Sequence, residues 1–213
     1  MSIFKERDSE RLYTLAVVLA LITIGYNILE GIVSVFFGAK DETLALLGFG
    51  VDSFVEVISG AGILHMVLRI KRNQGEDRKR FEKAALFITG FAFMLLCLGL
   101  VTGSVVNVLQ GTHPSTTLAG IIISIISLLT MFILYNVKLK TGRALDSKAI
   151  IADAHCTLTC FYLSGILLGS SILYELFKIG YFDLIGGLGI AFFAFREGRE
   201  ALEEFFHKED EPA

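Results

Sequence analysis

Asp52 and Glu56 stand four residues apart inside one long apolar run, and Cys156 and Cys160 repeat that spacing inside another. On a helix, residues at i and i+4 share a face. Two carboxylates that close repel each other unless a proton or a cation lies between them. Two thiols beside them supply soft ligands. Four such groups, two from each helix, suffice for a tetrahedral site around a divalent ion. His155, one step round the second helix, is an alternative ligand to a cysteine. Asn27 and Glu30 in the first apolar run, and Asp153 in the fifth, are candidate supporting residues. Asn27 and Glu30 also fit plain inter-helix hydrogen bonding.

These side chains must be carried by membrane helices. The chain has 213 residues, 54% of them hydrophobic and only 19% charged. An ionisable residue at mid-membrane costs about 2.5–3.5 kcal/mol on insertion scales, so the few present are functional candidates. A span needs about 20 mostly apolar residues, and six stretches are candidates. They run from Leu12 to Gly38, Leu44 to Leu68, Ala84 to Leu109, Leu118 to Val137, Ile150 to Phe177 and Phe182 to Phe195. The sixth is short, with Arg196 placed to snorkel. Open strands are excluded, because lipid leaves their backbone groups unsatisfied.

Charge gives an orientation. Of the 19 lysines and arginines, all but Lys40 and Lys178 fall in the N-terminal segment, the second loop, the fourth loop or the tail. The positive-inside rule then predicts both termini in the cytoplasm. The expected organisation is a cytoplasmic segment over residues 1–11, a six-helix transmembrane domain over 12–195, and a helical acidic tail over 196–213. In that tail Glu197, Glu200, Glu203 and Glu204 are expected on a solvated face. The basic loop from Arg69 to Lys83 reads as topogenic, and no nucleic-acid module accompanies it. Cys97 reads as a small hydrophobe and His65 as interfacial. The closely spaced Gly186, Gly187 and Gly189 suggest tight helix contacts rather than a phosphate loop.

Three short patterns, in order, resemble the transmembrane half of the cation diffusion facilitators. Asn27-Ile-Leu-Glu30-Gly31 is similar to the family's N-x-x-E-G in helix 1. Asp52 to Glu56 resembles the helix 2 pattern of D or H, three residues, then D. Ala152 to Cys160 resembles A-D-A-x-H-T-x-x-D in helix 5, with Cys156 at the histidine position and Cys160 at the aspartate position. Asp183 falls where the family often carries an acid at the start of helix 6. The resemblance covers nearly the whole chain and implies an all-α, six-helix bundle. It also implies divalent-metal/proton antiport by alternating access, a homodimer, and no enzymatic activity. The family's usual cytoplasmic metal-binding domain has no counterpart, so the expectation is a minimal transporter.

On this reading the metal ligands are Asp52, Glu56, Cys156 and Cys160, with His155 as the alternative from a one-residue slip. Thiolates shift preference towards zinc, cadmium or another soft cation and away from magnesium and manganese. Zinc is the first expectation, because tetrahedral sulfur and oxygen coordination suits it. The expected partners are metal ions, protons, the lipid bilayer and a second copy of the chain, with no nucleic acid. The expected location is a bacterial or archaeal cell membrane. Two other classes compete: an accessory or sensor protein of the same fold that does not transport, and a membrane redox enzyme. A dithiol on one helix face disfavours the latter, since Cβ atoms at i and i+4 lie about 5–6 Å apart and a disulfide needs about 3.5–4.5 Å.

Overall fold

The computed structural model describes residues 2–41, 43–71, 78–111 and 114–207. Six helices fill almost all of it: α1 (Ser2–Lys40), α2 (Leu44–Lys71), α3 (Arg78–Gln110), α4 (Leu118–Ala144), α5 (Lys148–Phe177) and α6 (Tyr181–His207). The stretches Glu10–Lys40, Leu44–His65, Gly90–Gln110, Leu118–Ala144 and Asp153–Phe177 are each long and apolar enough to cross a membrane. Helix α6 is not among those five. Its apolar run stops at Phe195, where Arg196, Glu197, Arg199 and Glu200 follow in quick succession. At 27 residues it still reaches about 40 Å at 1.5 Å per residue. It therefore runs the height of the bundle, packed along α3.

The helices are longer than the apolar runs alone suggest. Helix α1 begins at Ser2, so the expected N-terminal segment is continuous with the first span. Helix α4 continues past Val137 to Ala144, which turns Lys138 from an expected loop residue into a helical one. Helix α6 carries the tail as far as His207, while residues 208–213 and loop residues 72–77 lie outside the described residues.

Consecutive helices are antiparallel, and the closest packing is α1 on α2, α4 on α5 and α3 on α6. Small residues make this approach possible, as membrane helices lack a hydrophobic drive to associate and depend on close contact. A Cβ added to Gly50 of α2 would come within 2.8 Å of the Ser34 side chain and of the Val35 backbone nitrogen on α1. Gly90 of α3 and Gly198 of α6 face each other in the same way: a Cβ on either would sit 3.1 Å from the other's carbonyl oxygen.

The radial distribution is that of a protein in lipid. Leu29, Leu109, Ile122, Leu129 and Phe192 are exposed, whereas Asn27, Ser34, Ser53, Asp52, Ser124 and Ser164 are buried. One apolar cluster, built on Leu46, Phe49, Leu100, Leu163, Leu167 and Ile190, ties α2, α3, α5 and α6 together. Two carboxylates close the end of the bundle away from the termini. Asp183 accepts from the backbone N–H groups of Leu44 at 2.8 Å and Ala45 at 3.3 Å, capping α2. Glu175 accepts from the Thr117 N–H at 2.6 Å and the Thr116 hydroxyl at 2.7 Å, capping α4. Asp183 thereby satisfies two N–H groups of the first turn of α2 that have no intrahelical partner, and Glu175 satisfies the N–H of Thr117, the residue that caps α4.

Candidate metal centre between α2 and α5

The antiparallel packing of α2 and α5 brings Asp52, Glu56 and Cys160 together. One ligand atom from each lies within 4.8 Å of the others. Asp52 is 1% exposed and Cys160 fully buried. The Cys160 thiol is 3.7 Å from Asp52 Oδ2, within reach of an S–H···O hydrogen bond. Two carboxyl groups and a thiol in an apolar surrounding need protons or a cation, because isolated buried charge is very costly. Asp52 Oδ1 is a buried acceptor with no hydrogen-bond partner, and so is Asn27 Oδ1. Native interiors leave few such atoms unpaired, and a bound ion is one recognised reason for them.

The surrounding residues hold these side chains in place. Asn27 of α1 donates from Nδ2 to Glu56 Oε2 at 2.8 Å, fixing one oxygen of that carboxyl group. Glu30, one turn further along α1, is not part of the cluster. It accepts from the Tyr26 hydroxyl at 2.8 Å and the Ser53 hydroxyl at 3.1 Å. Both its oxygens are engaged, and the bond to Ser53 ties α1 to α2. Asp153 pairs with Lys138 of α4 at 2.9 Å, and Lys138 also donates to the Thr157 hydroxyl at 3.0 Å. With Lys138 only 1% exposed and Asp153 at 8%, this is a buried ion pair that locks α4 to α5 one to two turns from the cluster.

The four expected ligands are thus divided. Cys160 joins Asp52 and Glu56, whereas Cys156 is half-buried and outside that group. Cys156 instead lines a small cleft together with Asp52, Glu56, Phe93, Thr159 and Glu197. His155 is exposed and is not part of the cluster. Cys97 is half-buried on α3, packed against the apolar core, and His65 is exposed near the end of α2.

Two residues acquire places that the sequence did not suggest. Lys138 was counted among loop cations. The signal for it was Asp153, an acid in an apolar run that calls for a counter-charge. Glu197 was expected on a solvated face with Glu200 and Glu203. Those two are exposed, but Glu197 is half-buried, lines the cleft and accepts from the Thr159 hydroxyl at 3.3 Å. Its spacing offered a hint: Glu200 and Glu203 each have an arginine four residues earlier, and Glu197 has none.

Comparison with known proteins is consistent with this geometry. Residues 15–206 match the model of the cation efflux transmembrane domain. The chain is also similar to an uncharacterized transporter, MJ0449, of Methanocaldococcus jannaschii, with 24% identity over 175 residues. That alignment covers 80% of this chain and 62% of the relative, so the chain spans under two thirds of that protein's length.

Proposed function

The chain belongs to the cation efflux family, and from that premise we propose that it moves a soft or borderline divalent cation, zinc in the first instance, in exchange for protons. The observation that carries this reading is the convergence of Asp52, Glu56 and Cys160 within 4.8 Å, deep in the bundle. Two carboxylates and a thiolate suit zinc or cadmium better than magnesium or manganese. All three groups must lose protons to bind a metal, so binding releases protons and protonation releases metal. That chemistry is what couples the two fluxes. Asn27 orients Glu56, and Lys138–Asp153 ties α5 to α4. Alternating access then means exposing the cluster first to one side and then to the other. The basic residues at the end of the bundle that carries both termini support a cytoplasmic placement for that end. A homodimer assembled through lipid-facing helix surfaces completes the proposal.

The test is zinc uptake into proteoliposomes holding the purified chain, with an imposed pH gradient. Zinc-dependent proton movement, abolished by Asp52→Asn, is the expected result. Absence of zinc, cadmium and manganese flux under every gradient would sink the transport reading and leave an accessory or sensor role.

A further inference from the structure

We propose that Cys156 and Glu197 form a second cation station at the mouth of the cleft, which receives the metal before it reaches Asp52, Glu56 and Cys160. This rests on the reading of the central cluster as the cargo site. Cys156 lies four residues before Cys160 on α5, towards the end of the bundle that carries the termini. One helical turn is a displacement of about 6 Å, a single step for an ion. Glu197 reaches the same cleft from α6 and is tied to α5 by the Thr159 hydroxyl at 3.3 Å.

The neighbouring charges single out Glu197. Arg196 pairs with Glu200 at 2.9 Å and Arg199 with Glu203 at 3.1 Å, all on the exposed side of α6. Among the described residues no cation pairs with Glu197. A thiol, a carboxylate and a hydroxyl therefore line the same cleft as Asp52 and Glu56. Asp52, which lines the same cleft, is almost wholly buried and its Oδ1 lacks a partner, so the cleft leads to an unsatisfied acceptor. Two protein ligands leave the remaining coordination positions to water. Such a site binds strongly enough to capture the ion and weakly enough to pass it on, as conduction requires.

The experiment uses cadmium and two readouts on the full chain in lipid nanodiscs. Alkylation of Cys156 by N-ethylmaleimide, followed by peptide mass spectrometry, reports the outer station. The cadmium–thiolate absorption in the ultraviolet reports sulfur ligation as a whole. In the unaltered chain, saturating cadmium is expected to slow Cys156 alkylation about tenfold. In Glu197→Gln that protection is expected to fall below about twofold, while roughly half the absorption survives through Cys160. Glu197→Asp is expected to restore protection. Protection that persists in Glu197→Gln would overturn the station, since closure of the cleft alone would then shield the thiol. So would an alkylation rate indifferent to cadmium when the absorption is present. Absence of the absorption from the unaltered chain would overturn the central sulfur ligand instead, and this proposal with it.

Discussion

The Cys160 thiol meets Asp52 Oδ2 across the α2–α5 interface at 3.7 Å, with Glu56 one turn away on the same face of α2. This contact puts a thiol beside two buried carboxyl groups. It also joins two helices that have to move if the site is to open to alternate sides.

The carboxylates are the first target. Asp52→Asn and Glu56→Gln each remove a charge that a divalent ion needs, and both substitutions keep the side-chain volume. Each is expected to abolish metal-dependent transport while membrane insertion is retained. Asn27→Ala leaves both charges but frees Glu56 from its 2.8 Å hydrogen bond. Loss of such an outer partner usually costs 10–100-fold in metal affinity, so weakened rather than absent binding is expected. Isothermal titration with zinc in detergent measures all three. Unchanged affinity in both carboxylate variants would move the site elsewhere.

The cysteines and the histidine are predicted to differ. Cys160→Ser is expected to lose most zinc and cadmium affinity and to narrow the preference over manganese. Cys156→Ser is expected to keep central binding with a weaker capture step, and His155→Ala to behave like the unaltered chain, because His155 is exposed. Affinity should rise with pH in every variant that binds, as carboxyl and thiol groups shed protons, and the slope should be shallower in Cys160→Ser. Competition titrations of cadmium against manganese across pH 6 to 8 provide the comparison. If His155→Ala alone lost binding, the one-residue slip in helix 5 would be the correct register.

The acidic pair was legible in the sequence because charge inside an apolar run has few explanations. The cysteines were legible only as a pair. Spacing of i and i+4 places two residues on one face but about 40° apart at 3.6 residues per turn. That rotation separates Cys160, which meets Asp52, from Cys156, which faces the cleft. Where the neighbouring helix sits decides between them, and spacing along one helix contains no such information. Lys138 was misread for a related reason. Apolar periodicity ends at Val137, but the helix continues to Ala144 because Asp153 supplies a partner that lets a lysine stay inside. Glu175 lies near the end of α5, and Asp183 was expected as an acid at the start of helix 6. Their capping of α4 and α2 depends on contacts 58 and 139 residues apart, which no local pattern encodes.

The orientation prediction follows from the geometry of the ends. Asp41, Thr43 and residues 114–117 and 178–180 lie at one end of the bundle, and the first residues of α1 and α3 and the last of α2 and α6 lie at the other. A single cysteine at Lys178, in a chain with its native cysteines replaced by serine, is expected to react with an impermeant maleimide added to intact cells. One placed between residues 72 and 77 is expected to stay unlabelled until the membrane is permeabilised. The reverse pattern would invert the bundle and turn the cleft beside Glu197 outwards.

The ion pair between Lys138 and Asp153 gives the prediction with the largest expected stability effect. Both partners are buried and 2.9 Å apart, and the Thr157 hydroxyl accepts a second bond from the lysine. Removing one partner of a buried pair strands the other's charge and typically costs about 3–5 kcal/mol. Replacing both with apolar groups removes two desolvation penalties together and is often neutral or better. Lys138→Met is therefore expected to lower the thermal unfolding midpoint in detergent sharply, and Asp153→Leu to do the same. The double variant should recover most of the loss. Transport separates stability from function: if the pair only joins α4 to α5, the double variant keeps near-native zinc uptake. If it also sets the height of Cys160 against Asp52, the double variant should be stable but bind zinc about tenfold or more weakly. Destabilisation of the double variant equal to the sum of the singles would show that the two residues do not act as a pair.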